Sequence, residues 1–231
     1  VYNKANFTLN QGMIIHQCSQ YMTLMNLNTL YIPEMQMGIC EYISHLFLTM
    51  SIEEWEKTVV MIKQWDGTLQ NLTQNITDIF RKMANRKNHN EVSKLLSEFN
   101  RYIGNDINTF FNGRTGKFYI ANPWHTIAVK RLHLYESWSV LDPNATNGVE
   151  QVETATLPVV LKEILGPVIK IYDNQTSLRS SIENADEFIA EGGLIIFHYS
   201  LNDDEEAHLN NQIQLLIQHE YSKEALKGIL L

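Results

Sequence analysis

A β-hairpin is predicted by the stretch His125-Thr-Ile-Ala-Val-Lys-Arg-Leu-His-Leu-Tyr-Glu-Ser-Trp-Ser-Val-Leu-Asp-Pro143. Residues 125–132 and 136–142 are rich in β-branched and aromatic side chains, and only a short segment separates them, which is typical of antiparallel neighbours. Pro143 then ends the second strand, because proline cannot donate a hydrogen bond to a neighbouring strand. This hairpin forms the centre of the predicted sheet.

The predicted hairpin brings His125 and Asp142 together at one end. With the turn at His133, we expect His125 to lie opposite Asp142, where directly paired side chains have Cβ atoms about 4.5–5.5 Å apart. In that register Ile127 faces Val140 and Val129 faces Trp138. Asp142 can then accept a hydrogen bond from the imidazole and orient its other nitrogen. A purely structural histidine–carboxylate pair has the same spacing, so the pattern alone leaves both interpretations open.

The regions on either side of the hairpin predict an α+β fold. Ser51 and Glu54 form a capping-box pattern, and apolar spacing predicts helices over 52–62, 69–83 and 92–103, the last ending at Gly104. Further strands are expected at 117–120, 168–172 and 194–199, with helices at 177–190 and after the acidic run 203–206. We expect a single domain over 1–231, in which a helical half (about 1–110) packs on an antiparallel sheet (about 111–231).

Composition excludes some classes of protein. The chain has 231 residues, 44% of them hydrophobic, and a net charge of −8, which argues against a dedicated nucleic-acid binder and against a mostly disordered chain. No apolar run approaches the ~20 residues that span a bilayer. Since the chain begins with Val1 rather than Met, we expect it to be excised from a longer protein.

Cys40 is the first candidate for chemistry. It follows the irregular segment 33–39, which contains proline and glycine, and it precedes apolar residues at helical spacing, so it should begin a helix. The free N–H groups and the dipole at a helix start stabilise a thiolate, the nucleophilic form of cysteine. The alternative is that Cys40 is a small buried apolar residue.

Together, Cys40, His125 and Asp142 occur in the order used by papain-like enzymes, and three short blocks resemble the YopT/AvrPphB family of bacterial effector cysteine proteases. Gly38-Ile-Cys-Glu-Tyr-Ile-Ser-His-Leu-Phe-Leu48 is similar to the Gly-x-Cys block of this family. Trp124-His-Thr-Ile-Ala-Val129 is similar to its Gly-His-x-x-Ala block, and Ser137-Trp-Ser-Val-Leu-Asp-Pro-Asn144 to its aromatic-x-x-Asp-Pro-Asn block. The blocks cover about thirty residues, and the Asp-Pro-Asn run is the most specific of them.

This resemblance implies a papain-like fold and a cysteine hydrolase that needs no cofactor. It implies that Cys40 attacks a carbonyl carbon, that His125 acts as general base and then acid, and that Asp142 orients His125. Gln36 is the amide side chain nearest the position from which papain-like enzymes complete the oxyanion hole. The resemblance further implies a virulence effector secreted into a host cell, where it cleaves a host protein.

Two alternatives remain open from the sequence. Transglutaminases, deamidases and acyltransferases use the same triad, because all of them pass through a thioester. A non-catalytic interaction module could also have inherited the fold.

Other candidate sites are weaker. Cys18 lies among apolar residues and should pack in the core. His16 and Cys18 lack the second pair of ligands that a zinc site requires, so no metal site is expected. The run 113–117 lacks the Ser or Thr that follows lysine in a phosphate-binding loop. Residues 203–206 lack the spacing of a calcium-binding loop.

Overall fold

The computed structural model describes residues 11–27, 40–84, 101–104, 107–122, 125–133, 135–145, 148–166, 170–173, 193–199 and 201–229. The helices are α1 (Gln11–Leu24), α2 (Cys40–Leu48), α3 (Ile52–Gln64), α4 (Gln74–Ala84), α5 (Ile107–Phe110), α6 (Leu157–Leu165) and α7 (Asp203–Ile229). The strands are β1 (Arg101–Gly104), β2 (Gly116–Ala121), β3 (Thr126–Arg131), β4 (Trp138–Leu141), β5 (Val149–Val152), β6 (Lys170–Asp173) and β7 (Gly193–Tyr199).

The described strands form one seven-stranded sheet in the order β1-β6-β7-β2-β3-β4-β5. Strands β2 to β5 follow one another as antiparallel neighbours, as the hairpin pattern predicts. The expectation of a wholly antiparallel sheet is wrong, however, because β6 and β7 run parallel. The fold is therefore α+β with a mixed sheet.

A hydrophobic core lies on each face of the sheet because side chains alternate along each strand. On one face, helices α1 to α4 pack against Tyr119, Ala121, Ala128 and Leu141. On the other face, α5 and α6 cover the intervening strand residues, and Trp138 packs edge-on against Phe111 at 5.1 Å between ring centroids. The helical half thus covers one side of the sheet, and shorter helices cover the other.

Two helix predictions need correction. The helix expected over 92–103 is wrong at its end, since Arg101–Gly104 is strand β1 and pairs with β6; residues 92–99 lie outside the described residues. The helix expected over 69–83 begins only at Gln74. Asp66 prevents an earlier start, because its carboxylate accepts hydrogen bonds from the backbone and hydroxyl of Thr68 and from the Asn71 amide, which hold a loop.

Other predicted elements are present with small changes in their bounds. The capping box of Ser51 and Glu54 begins α3, and α7 starts in the acidic run at Asp203. The predicted helix over 177–190 lies outside the described residues. In the part of the chain that the structure describes, no helix has both the length and the apolar character needed to cross a membrane.

Candidate active site

Cys40 is the first residue of helix α2, as the sequence predicts, and its side chain is half-buried. Helix α2 lies against β3, and the buried Ser44 hydroxyl, one turn after Cys40, donates a hydrogen bond of 3.3 Å to the Thr126 carbonyl. Thr126 is the residue after His125. This bond therefore fixes the start of α2 next to the turn that carries the histidine.

His125 is held by the tight connection between β2 and β3. Asn122 closes this turn twice: its side-chain oxygen accepts from the His125 backbone N–H at 2.7 Å, and its own N–H donates to the His125 carbonyl at 3.0 Å. The Asn122 amide also donates to the Leu165 carbonyl at the end of α6. Asn122 was missed from the sequence, although the Asn-Pro pair at 122–123 is a turn signal.

The predicted register of the β3–β4 hairpin is wrong by two residues. Val129 pairs with Val140 rather than Trp138, and Ala128 pairs with Leu141. The longer connection, residues 132–137, accounts for the difference, because the turn moves towards Tyr135. A slip of two keeps every side chain on its own face, so His125 and Asp142 become diagonal neighbours, which long side chains can still bridge.

The imidazole of His125 meets the carboxylate of Asp142 in spite of this shift. The distance from His125 Nε2 to Asp142 Oδ1 is 2.6 Å, and both side chains are mostly buried. The same carboxylate oxygen accepts the Asn144 backbone N–H at 2.9 Å, an Asx-type turn across Pro143. The turn across Pro143 therefore fixes the Asp142 carboxylate, and the carboxylate fixes the imidazole of His125.

Cys40 is the second partner of His125, because interaction with its side chain raises the pKa of the imidazole, as interaction with Asp142 does. Asp142 occupies Nε2, so Nδ1 is the ring nitrogen left for the thiol. Cys40, His125 and Asp142 therefore lie close together. An imidazole that interacts with both a thiol and a carboxylate is what nucleophilic catalysis by cysteine requires.

The electrostatics of His125 follow from this position. Burial on its own lowers the pKa of His125, but hydrogen bonds and charge interactions with Asp142 and Cys40 outweigh it and raise the pKa to about 9. Burial raises the pKa of the Asp142 carboxyl. Its hydrogen bonds with His125 and with the Asn144 backbone lower that pKa by more than burial raises it, so the pKa lies below its ordinary value. The pair is therefore an imidazolium and a carboxylate at neutral pH.

Two further polar residues lie near the triad. The side-chain amide of Asn144, the last residue of the Asp-Pro-Asn run, lies 3.4 Å from His125 Nδ1. Gln11, at the start of α1, donates its side-chain amide to the Asn144 side-chain oxygen and its backbone N–H to the Pro143 carbonyl at 2.8 Å. Gln11 was missed from the sequence, because an isolated polar residue carries no periodic signal and only its spatial contacts reveal it.

The remaining predictions concern residues outside the triad. Cys18 packs in the core as expected: it is fully buried, and burial raises the pKa of its thiol to about 12. Gln36, the predicted oxyanion donor, lies outside the described residues. Within the described segments, no group of three or more His, Cys, Asp or Glu side chains is placed to hold a metal ion.

Comparison with known proteins gives no match: no family model, no curated protein and no solved structure is significantly similar to this chain.

Proposed function

We propose that this chain is a cysteine-dependent hydrolase with a Cys40–His125–Asp142 triad. The observation that carries the proposal is the hydrogen bond between the His125 imidazole and the Asp142 carboxylate, with the Cys40 side chain close enough to raise the pKa of the same ring. A thiol at a helix start, a histidine and an orienting carboxylate together are the machinery of acyl transfer.

In the proposed reaction, the Cys40 thiolate attacks the carbonyl carbon of a peptide bond and forms a tetrahedral oxyanion. The His125 imidazolium gives its proton to the leaving amine, the C–N bond breaks, and a thioester remains on Cys40. Water then attacks the thioester while His125 accepts its proton, and the thiolate leaves. Donors for the oxyanion are the Cys40 backbone N–H and, as the sequence predicts, Gln36.

Asp142 has a positioning role in this scheme. Its carboxylate holds Nε2, which leaves Nδ1 for the nucleophile, and it stabilises the imidazolium that donates the proton. Its own orientation comes from the backbone of Asn144.

The three sequence blocks support a narrower assignment. We infer a papain-like fold and a place among proteases of the YopT/AvrPphB type, with the Asp-Pro-Asn run at 142–144 as the most specific feature. The turn formed by this run binds the triad carboxylate, which gives the motif a physical role. On this basis the substrate is a host protein and the chain is an effector delivered into the host cell.

The test is proteomic identification of new protein N-termini in host-cell lysate treated with the protein. We expect new termini with the wild type and with Cys18→Ala, and a loss of about a thousandfold or more in their rate of appearance with Cys40→Ala. Cys40-dependent mass changes without new termini would replace peptide hydrolysis by transfer or deamidation. No Cys40-dependent product of either kind would contradict a catalytic function.

A further inference from the structure

A second cluster of chemistry-bearing side chains joins the β3–β4 connection to helix α7. His133 lies in the connection, and His208 and Gln212 lie one turn apart on the same face of α7. His133 Nδ1 is 2.9 Å from His208 Nε2, and the Gln212 amide nitrogen is 2.6 Å from the first and 2.8 Å from the second. These three atoms form a closed triangle.

Hydrogen bonds cannot form along all three sides of this triangle at once. If the Gln212 N–H groups donate to both rings, both ring nitrogens present lone pairs to one another at 2.9 Å. If a ring N–H instead bridges the two histidines, that nitrogen can no longer accept from Gln212. Turning the amide so that its oxygen faces the rings leaves the same conflict. A cation between the three groups removes it, because it binds both lone pairs and the amide oxygen.

The geometry of the rings also suits a bound ion. Their planes are 81° apart and their centroids lie 4.5 Å apart, whereas a straight N–H···N bond of this length would hold them about 5 Å apart. The two lone pairs are therefore inclined to the line between the nitrogens. Two nitrogens bound at ~2.0–2.1 Å and at right angles to one ion would lie about 2.9 Å apart, which is the distance observed.

Glu136 lies near the outer nitrogen of His133, on the side where metal-binding histidines commonly donate to a carboxylate. Its carboxylate lies 3.7 Å from His133 Nε2, within ion-pair distance, on the opposite side of the ring from His208. A carboxylate there favours a proton on Nε2 and leaves Nδ1 as the free ligand. His133 and Glu136 also line a cavity of about 460 Å³.

We propose that His133, His208 and Gln212 bind one divalent transition-metal ion, with Glu136 orienting His133. Two imidazoles and an amide oxygen suit Cu²⁺, Ni²⁺ or Zn²⁺ and disfavour Mg²⁺ and Ca²⁺, which prefer all-oxygen sites. With only two histidines the site stays open to water. The ion would link helix α7 to the central hairpin, and it is independent of the triad.

The test is calorimetric titration of the untagged, full chain with Ni²⁺ and Zn²⁺, with Mg²⁺ as the reference ion. All proteins carry Cys40→Ser, so that the triad thiol does not bind the ions. We expect one ion per chain, and affinity reduced about tenfold or more by His133→Ala and by His208→Ala. His219→Ala, which removes another exposed histidine of α7, should leave the affinity unchanged.

Because His208 is exposed, His208→Ala should fold as the parent does, and circular dichroism checks the fold of both variants. A metal-induced rise in the unfolding temperature should accompany binding in the parent and disappear in His208→Ala. Absence of Ni²⁺ and Zn²⁺ binding to the parent would overturn the proposal, as would equal binding by the parent, His133→Ala and His208→Ala.

Discussion

His125 is the residue through which the other members of the candidate site act on one another. Its ring forms a hydrogen bond with Asp142 and interacts with Cys40, and its raised pKa reflects the balance between burial and these two partners. Replacing one of these two partners should therefore change the pKa of His125 even where the fold is unchanged. Asp142 is the more informative partner, because its replacement leaves the thiol in place.

We expect Asp142→Asn to lower the pKa of His125 from about 9 towards its ordinary value, since the amide lacks the charge that stabilises the imidazolium. NMR titration of the imidazole C–H signal measures this, with His125→Gln to assign the signal. Asp78→Asn, which removes an exposed carboxylate from α4, should leave the titration unchanged. A His125 pKa that is the same in wild type and Asp142→Asn would contradict the structure.

The turn between β2 and β3 decides where His125 stands, and Asn122 makes that turn rigid. Its side chain bonds both the His125 N–H and the Leu165 carbonyl, so it ties the turn to the end of α6. A turn held from two sides gives the ring a fixed position relative to α2.

Asn122→Ala should lower the free energy of unfolding by about 1–3 kcal/mol, because two backbone groups lose their partner. The Cys40 thiol should also lose reactivity as His125 moves. Urea denaturation and thiol labelling measure the two effects. Asn112→Ala, an exposed turn residue next to α5, is the matched control and should change neither.

Helix α2 is held by β3 at its other end as well. The buried Lys130 ammonium donates to the Phe47 and Met50 carbonyls at 3.1 and 2.6 Å and lies 4.0 Å above the Phe47 ring. A cation at the C-terminus of a helix satisfies carbonyls that have no partner within the helix. Strand β3 therefore fixes both ends of the helix that begins with Cys40.

Lys130→Met should lower the free energy of unfolding by about 2–3 kcal/mol, since charged hydrogen bonds to two carbonyls are lost while the apolar volume is kept. Urea denaturation of both proteins measures the difference. Lys57→Met, on the exposed face of α3, should leave the stability close to that of wild type. Equal stability of Lys130→Met and Lys57→Met would contradict the role of Lys130 in holding the end of α2.

Across the whole molecule, features set by local sequence were predictable and features set by distant contacts were not. Cys40 begins its helix as predicted, and His125 bonds Asp142 as predicted. Strand β1 was predicted as the end of a helix, because only pairing with distant β6 selects a strand for Arg101 and Tyr102. Apolar spacing in one segment cannot report such a partner.

Helix α1 is a second element whose sequence pattern is obscured by a contact with a distant segment. Its buried face includes Gln17, whose amide donates to the Ile62 and Trp65 carbonyls of the neighbouring chain segment. A polar residue on the buried face interrupts the apolar stripe by which helices are recognised. The parallel pairing of β6 with β7 and the two-residue shift in the hairpin likewise depend on packing and on turn geometry.

The triad also affects the stability of the whole fold. Folding raises the pKa of His125 above its ordinary value of 6.5. The contribution of His125 to the free energy of unfolding is therefore complete below about pH 6.5 and is lost as the pH rises through about 9. Asp142, whose pKa is lowered, contributes above its ordinary pKa and loses this contribution in acid. The stability difference between wild type and His125→Gln, measured by urea denaturation, should therefore shrink from pH 6 to pH 10. A constant difference would contradict this linkage.

The most direct test of the central claim, that His125 activates the Cys40 thiol, is the rate of iodoacetamide labelling at each cysteine, followed by mass spectrometry. Cys40 should label much faster than the buried Cys18, and its rate should fall about tenfold or more in His125→Ala. Slow labelling of Cys40 at the same rate in wild type and His125→Ala would contradict the account.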